Sequence, residues 1–134
     1  MMQNSAYFLV GTMYGGRIEQ LDKWIAQNVW KLGWIGEEDN KNYQKMKKIW
    51  DDIEVGDYLI VKNMDLKKGY SGIKVKAIAK VVGKEDDGHT INVKWLKVFQ
   101  KGNYPSYQIS ASKTMRQIDE KIGSKIVSNA LENN

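Results

Sequence analysis

Ile73-Lys74-Val75-Lys76-Ala77-Ile78-Ala79-Lys80-Val81-Val82 alternates between apolar and basic residues with a period of two. Successive strand side chains point to opposite faces, so the spacing predicts a strand over 73–82. Ile73, Val75, Ala77, Ala79 and Val81 would share one face, and Lys74, Lys76, Ile78 and Lys80 the other. The first face is expected in the core and the second to carry a stripe of lysines. Two further β-rich runs flank this one, Tyr58 to Lys62 and Thr90 to Val98, each set off by a glycine-containing loop. Together they predict an antiparallel meander entered through the Glu54-Val55-Gly56-Asp57 turn.

Upstream, Ala6 to Met13 reads as a buried strand that ends among Gly11, Tyr14, Gly15 and Gly16. From Arg17 to about Val29 the residues Ile18, Leu21, Ile25 and Val29 recur at helical spacing and predict a core-facing helix. A second helix is expected from about Asn40 to Trp50, with Tyr43, Met46 and Trp50 on its inner side and Lys41, Lys45, Lys47 and Lys48 on a solvated face. At the other end, Met115, Ile118, Ile122 and Ile126 predict a closing helix over about 115–127. Thr114 and Gln117 are spaced as its capping box, and 129–134 are expected to fray. The pattern calls for an α+β fold: a small, strongly curved antiparallel sheet or open β-barrel with flanking helices, in one domain spanning 1–134.

The 134 residues suffice for one domain that buries roughly two-thirds of its unfolded surface, and 42% hydrophobic with 28% charged residues is a globular rather than a disordered composition. Cysteine is absent, which removes disulfides, thiolate metal ligands and cysteine nucleophiles. The opening MMQNSAYFLVGT reads as a strand rather than a signal peptide, and a cytoplasmic location is expected. A formal net charge of +5 and a sequence pI near 9.3 favour a polyanionic partner.

The inventory for catalysis is poor, and no enzyme and no cofactor are expected. His89 is the one histidine and stands in the turn-like stretch Asp86-Asp87-Gly88-His89-Thr90, where a surface position is expected. A single histidine builds no His-rich metal site. Ser71 in Gly69-Tyr70-Ser71-Gly72 is similar to a nucleophile elbow, but the flanking spacing is incomplete and no strand-to-helix turn is expected there. Gly11, Gly15 and Gly16 match neither phosphate-loop pattern. The acid pairs Glu37-Glu38, Asp51-Asp52 and Asp86-Asp87 are explained by solubility and helix capping.

Five tryptophans exceed the usual need of so small a core. Trp50 and Trp95 fall on apolar faces. Trp24 and Trp30 fall away from the first helical stripe, and Trp34 follows in a glycine-flanked loop. Aromatics held by loops beside a basic sheet suit a pocket for a planar base, where stacking contributes roughly 1–3 kcal/mol per base. A second small core under the loops explains them equally well.

Tyr7-Phe8-Leu9-Val10-Gly11-Thr12, Asn28-Val29-Trp30-Lys31-Leu32-Gly33-Trp34, Ile53-Glu54-Val55-Gly56-Asp57-Tyr58 and Asn92-Val93-Lys94-Trp95-Leu96-Lys97-Val98 resemble, in order, the landmarks of PUA-like domains of the EVE and YTH group. That group includes related N-terminal DNA-recognition domains of modification-dependent restriction enzymes. The resemblance implies a bent sheet with flanking helices that accepts a modified base in an aromatic cage. It further implies a DNA or RNA partner and a place in, or beside, a larger restriction or RNA-processing protein. Trp30 matches a cage tryptophan, Tyr14 lies where such domains also contact the base, and Trp34 would supply a further wall. The second cage tryptophan of YTH domains has no counterpart, because Gly83 to Gly88 contains no aromatic residue. The expected function is therefore nucleic-acid binding, with a base pocket of Tyr14, Trp30 and Trp34 and backbone contacts from Lys74, Lys76, Lys80 and Lys94. The alternative is a protein-interaction or small-ligand sensor domain on the same fold.

Overall fold

The protein was analysed as a computed structural model that describes residues 5–14, 18–65, 72–109 and 115–132. Strand β1 (Tyr7–Val10) is followed by a short antiparallel pair, β2 (Met13–Tyr14) and β3 (Ile18–Glu19), helix α1 (Leu21–Gln27), β4 (Val29–Lys31) and helix α2 (Lys41–Asp52). The meander β5 (Tyr58–Asp65), β6 (Gly72–Lys84) and β7 (Thr90–Val98) comes next, then β8 (Ser106–Tyr107), β9 (Met115–Ile118) and helix α3 (Glu120–Glu132). The sheet order is β4-β7-β6-β5-β1-β9, with β8 paired to β6.

The three expected meander strands form and pair antiparallel, and the fold is α+β. The sheet as a whole is mixed rather than antiparallel, because β1 runs parallel to β5 with Tyr7 opposite Tyr58. A parallel neighbour needs a long crossover, and the segment holding α1, β4 and α2 provides it. The sheet does not close into a barrel. Asp57 fixes where the parallel pair begins: its carboxylate accepts from the Ala6 amide at 2.9 Å and the Glu54 amide at 2.8 Å, and the Tyr58 amide donates to the Ala6 carbonyl at 3.0 Å.

The even alternation expected of 73–82 is interrupted. Val61 faces Ala77 and Lys62 faces Val75, so Lys76 is an extra residue on β6 and bulges. One extra residue flips the side chains beyond it to the other face. Ala77, Ala79 and Val81 join the core formed with Trp24, Trp30 and the α2 residues Tyr43, Met46 and Trp50. Ile73, Val75 and Ile78 instead join a second core, against Ile126, Val127 and Ala130 of α3. The sheet is thus sandwiched between helices, with a core on each side.

Two helices differ from expectation at their boundaries. The first begins at Leu21 and ends at Asn28, whose backbone is left-handed (φ 56°) and whose amide donates to the Ile25 carbonyl at 3.3 Å. Asparagine tolerates that conformation, and the chain turns straight into β4. Trp24 rather than Ile25 becomes the deeply buried residue of α1. At the far end, Met115 and Ile118 are strand residues that enter opposite cores, and the helix starts after Asp119, which accepts from the Lys121 amide at 2.8 Å. Ile122, expected on the inner stripe, is 43% exposed, and α3 continues to Glu132, past the point of expected fraying. Thr114, the expected cap, lies outside the described residues. The second helix forms nearly as expected, capped by the Asn40 side chain, which accepts from the Asn42 amide at 2.8 Å. Among the described residues no helix is long and apolar enough to cross a membrane.

Candidate functional site

Trp30 is placed by the early end of α1. Instead of lying on a helix surface it sits in β4 opposite Ile91, is 0% exposed, and donates its indole N–H to the Gly11 carbonyl at 2.7 Å. Trp24 meets it edge to face, with ring centroids 6.0 Å apart, and the Trp95 indole N–H donates to the Trp24 carbonyl at 3.3 Å. Both tryptophans that fall away from the helical stripe are nonetheless central to the main core: Trp30 because a three-residue strand replaces the last helical turn, and Trp24 as a buried residue of α1 itself. Trp50 and Trp95 pack with the same core, as expected.

Trp34 is half-buried at the margin of that core, in a left-handed backbone conformation (φ 62°) that asparagine or glycine adopts more readily. Such a residue is held by its surroundings. Its carbonyl accepts from the Glu37 amide at 2.9 Å, and the preceding Leu32 is clamped to His89. Tyr14 pairs with Ile18 through the backbone of β2 and β3. Its side chain lies outside the described residues, as does Ser71.

His89 is not the surface histidine expected of a turn. It is 3% exposed, its ring stacks on Tyr43 at 4.9 Å, and its backbone carbonyl accepts from the Leu32 amide at 2.8 Å and the Trp50 indole N–H at 3.2 Å. Nδ1 stands 2.8 Å from the Leu32 carbonyl and so carries a hydrogen, while Nε2 stands 3.3 Å from a Glu38 carboxylate oxygen. The histidine thus ties the β6–β7 turn to the loop that bears Trp34, a role that one turn-like sequence does not reveal.

Asp87 holds that turn. Partial burial pushes its carboxyl up, but the Thr90 hydroxyl at 2.6 Å and the Thr90 and His89 amides, both at 2.8 Å, hold it down to about 2 from an ordinary 3.8. A depressed carboxyl contributes stability above its unfolded value and loses it as the proton returns. Thermal stability is therefore expected to fall as pH drops from about 4 towards 2, and Asp87→Asn is expected to lower stability at neutral pH and flatten that acid limb. An unchanged pH profile in melts of the variant would show that the turn does not depend on the charge.

Gly88 completes the arrangement: its φ is +75°, and a Cβ there would lie 2.7 Å from the Tyr43 hydroxyl, which donates to the Gly88 carbonyl at 3.1 Å. An open depression of about 570 Å³ lies beside the turn between Tyr43, Trp50 and Lys84. Its cations are already engaged: Lys84 donates to the Trp50 and Asp51 carbonyls at the end of α2, and Lys47 pairs with Asp51.

The predicted lysine stripe is divided by the bulge. Lys76 is 4% exposed and bound to Glu19 and to the Thr12 hydroxyl. Burial pushes the Glu19 carboxyl up, yet the Lys76 ammonium and the Thr12 hydroxyl leave it below its ordinary value. Lys74 is half-buried opposite Asn63 and Ser106. Lys80 and Lys94 are exposed and face each other across β6 and β7.

No protein-family model matches the sequence, and no curated protein matches it. Solved structures do. The YTH domain of the Zygosaccharomyces rouxii MRB1 protein, determined in complex with N6-methyladenosine RNA, aligns with a TM-score of 0.53 at 14% identity over 96% of this chain and 88% of its own. The Pho92 YTH domain, determined in complex with m6A, aligns with a TM-score of 0.52 at 11% identity over 98% of this chain and 89% of its own. At such low identity the likeness concerns the path of the backbone, and on that ground the α+β fold of this chain is YTH-like.

Proposed function

We propose that this protein binds nucleic acid and holds one extruded, modified base among Tyr14, Trp30 and Trp34. The observation that carries this reading is the fold's likeness, over nearly the whole chain, to YTH domains solved with methylated adenosine. The placement of Trp30 and Trp34 on one face of the sheet and the net charge of +5 support it. Phosphate contacts would position the strand and the aromatic residues would select the base. Lys76 is already held by Glu19, which leaves Lys74 and, for a strand that extends beyond the base site, the exposed Lys80 and Lys94 for the backbone. Trp30 is fully enclosed, so a base reaches it only when the packing around it opens. A single-stranded target avoids the few kcal/mol that extrusion from a duplex costs.

Fluorescence anisotropy with labelled RNA and DNA oligomers, each plain or carrying N6-methyladenine, tests the proposal. Wild type is expected to prefer the methylated oligomer in a salt-sensitive manner, and folded Trp34→Ala to lose that preference. Equal affinity for plain and methylated oligomers would remove the base pocket. Absence of binding to every oligomer would remove the nucleic-acid reading and favour a protein or small-molecule ligand.

A further inference from the structure

The sheet face opposite Trp30 carries a row in register across four adjacent strands: Tyr7 on β1, Tyr58 on β5, Lys80 on β6 and Lys94 on β7. The two tyrosine rings stack at 5.2 Å and within 7° of parallel, and the Lys80 ammonium lies over the Tyr58 ring at 5.8 Å. Helix α3 closes the Tyr7 end, where Gly123 lets it approach the ring. The other end is open: Lys80 and Lys94 are exposed, and Val82, two residues beyond Lys80, is 53% exposed.

Like charges directly opposite each other on adjacent strands destabilise a sheet, with Cβ atoms roughly 5 Å apart. An acid across from each lysine would relieve that repulsion. Here neither lysine forms an ion pair among the described residues. An uncompensated cation pair beside an exposed apolar residue is complementary to a chain of closely spaced anions with apolar groups between them, which is the chemistry of a polynucleotide strand.

Resting on the base-binding reading, we infer that Lys80 and Lys94 grip the phosphodiester backbone at a segment remote from the selected base. The sheet itself separates the two places. Trp30 and Trp34 belong to the core under α1 and α2, whereas Tyr58 belongs to the core under α3. Lys80 lies two strands from β4 and Lys94 one, about 10 and about 5 Å along the sheet, and for both the thickness of the sheet and its side chains adds about 10 Å of depth. An oligomer just long enough to fill the base site does not reach the lysines, and a longer one does.

The experiment measures binding of a roughly 3-nucleotide and a ~15-nucleotide RNA, each with one N6-methyladenine, from about 50 to 200 mM salt. Wild type is compared with Lys80→Gln/Lys94→Gln and Lys80→Arg/Lys94→Arg. The glutamine variant is expected to bind the short oligomer as wild type does and the long one severalfold more weakly, its slope of log affinity against log salt shallower by about 1.4, roughly 0.7 for each phosphate no longer neutralised. The arginine variant is expected to keep the wild-type slope. An unchanged slope with the long oligomer, or equal weakening with the short one, would overturn the remote grip while leaving base binding intact. If wild type binds neither oligomer, the base-binding reading fails and this inference with it. A polyglutamate peptide of matched charge that competes as well as the long RNA would also overturn the assignment to a phosphodiester.

Discussion

Trp30→Ala is expected to cost about 3–5 kcal/mol, a large part of the roughly 5–15 kcal/mol that holds a domain of this size together. The ring is enclosed, it meets Trp24 edge to face, and its N–H satisfies the Gly11 carbonyl at the end of β1. Truncation would leave a cavity in the principal core and an unpaired carbonyl. Urea denaturation is expected to show a much lower midpoint with an unchanged slope; a midpoint within experimental error of wild type would mean that the ring is not part of the core. The consequence for ligand binding is practical. Loss of affinity in Trp30→Ala would report unfolding as readily as a missing pocket wall. Trp34→Ala removes a side chain at the margin of the core and gives the clearer reading of the base site.

Gly123→Ala is expected to destabilise the protein by about 3 kcal/mol, although alanine is favoured over glycine within a helix by about 1 kcal/mol. A Cβ at this position would stand 2.3 Å from Cγ and 2.4 Å from Cβ of Tyr7. Those atoms lie close to the backbone of β1, and the ring beyond them is stacked on Tyr58, so the side chain cannot swing aside. Either α3 lifts from the sheet or β1 shifts. A fall in the melting temperature of about 10 °C follows from the usual size dependence. Tyr7→Ala/Gly123→Ala is expected to be more stable than the sum of the single effects predicts, because the overlap disappears. Strict additivity in that cycle would place the cost elsewhere.

The meander and α2 were legible because their signals are local: period-two runs between glycine loops, and an apolar stripe behind an asparagine cap. The two misplaced boundaries also followed local signals, which were outweighed. Ile18, Leu21, Ile25 and Val29 do have helical spacing, but Asn28 ends the helix and Val29 gains a strand partner in Asn92. Met115 and Ile118 suit either a helix or a strand, and pairing with β1 decides for the strand. The parallel register of β1 and β5 lay beyond local reading, since it depends on groups far apart in the chain, as from Ala6 to Asp57. For the same reason the Tyr7–Tyr58 stack and the buried His89 had no sequence signal. Among the site residues, the exposure of Lys80 was legible from alternation, whereas the engagement of Lys76 by Glu19 depended on the bulge.

That bulge changes how variation in length along β6 is to be read. Because Lys76 is accommodated as an extra residue, the strand shifts phase by half a period partway along, and one element supplies apolar residues to two independent layers. A chain lacking this one residue would make Val75 and Ala77 immediate neighbours in an unbroken strand, still on opposite sides, so both layers would survive while the ties to Glu19 and Thr12 would go. Removal of Ala79 instead would bring Lys80 round to the side that Ala79 leaves, among the tryptophans. Position 76 is thus a place where this strand can shorten without turning itself inside out.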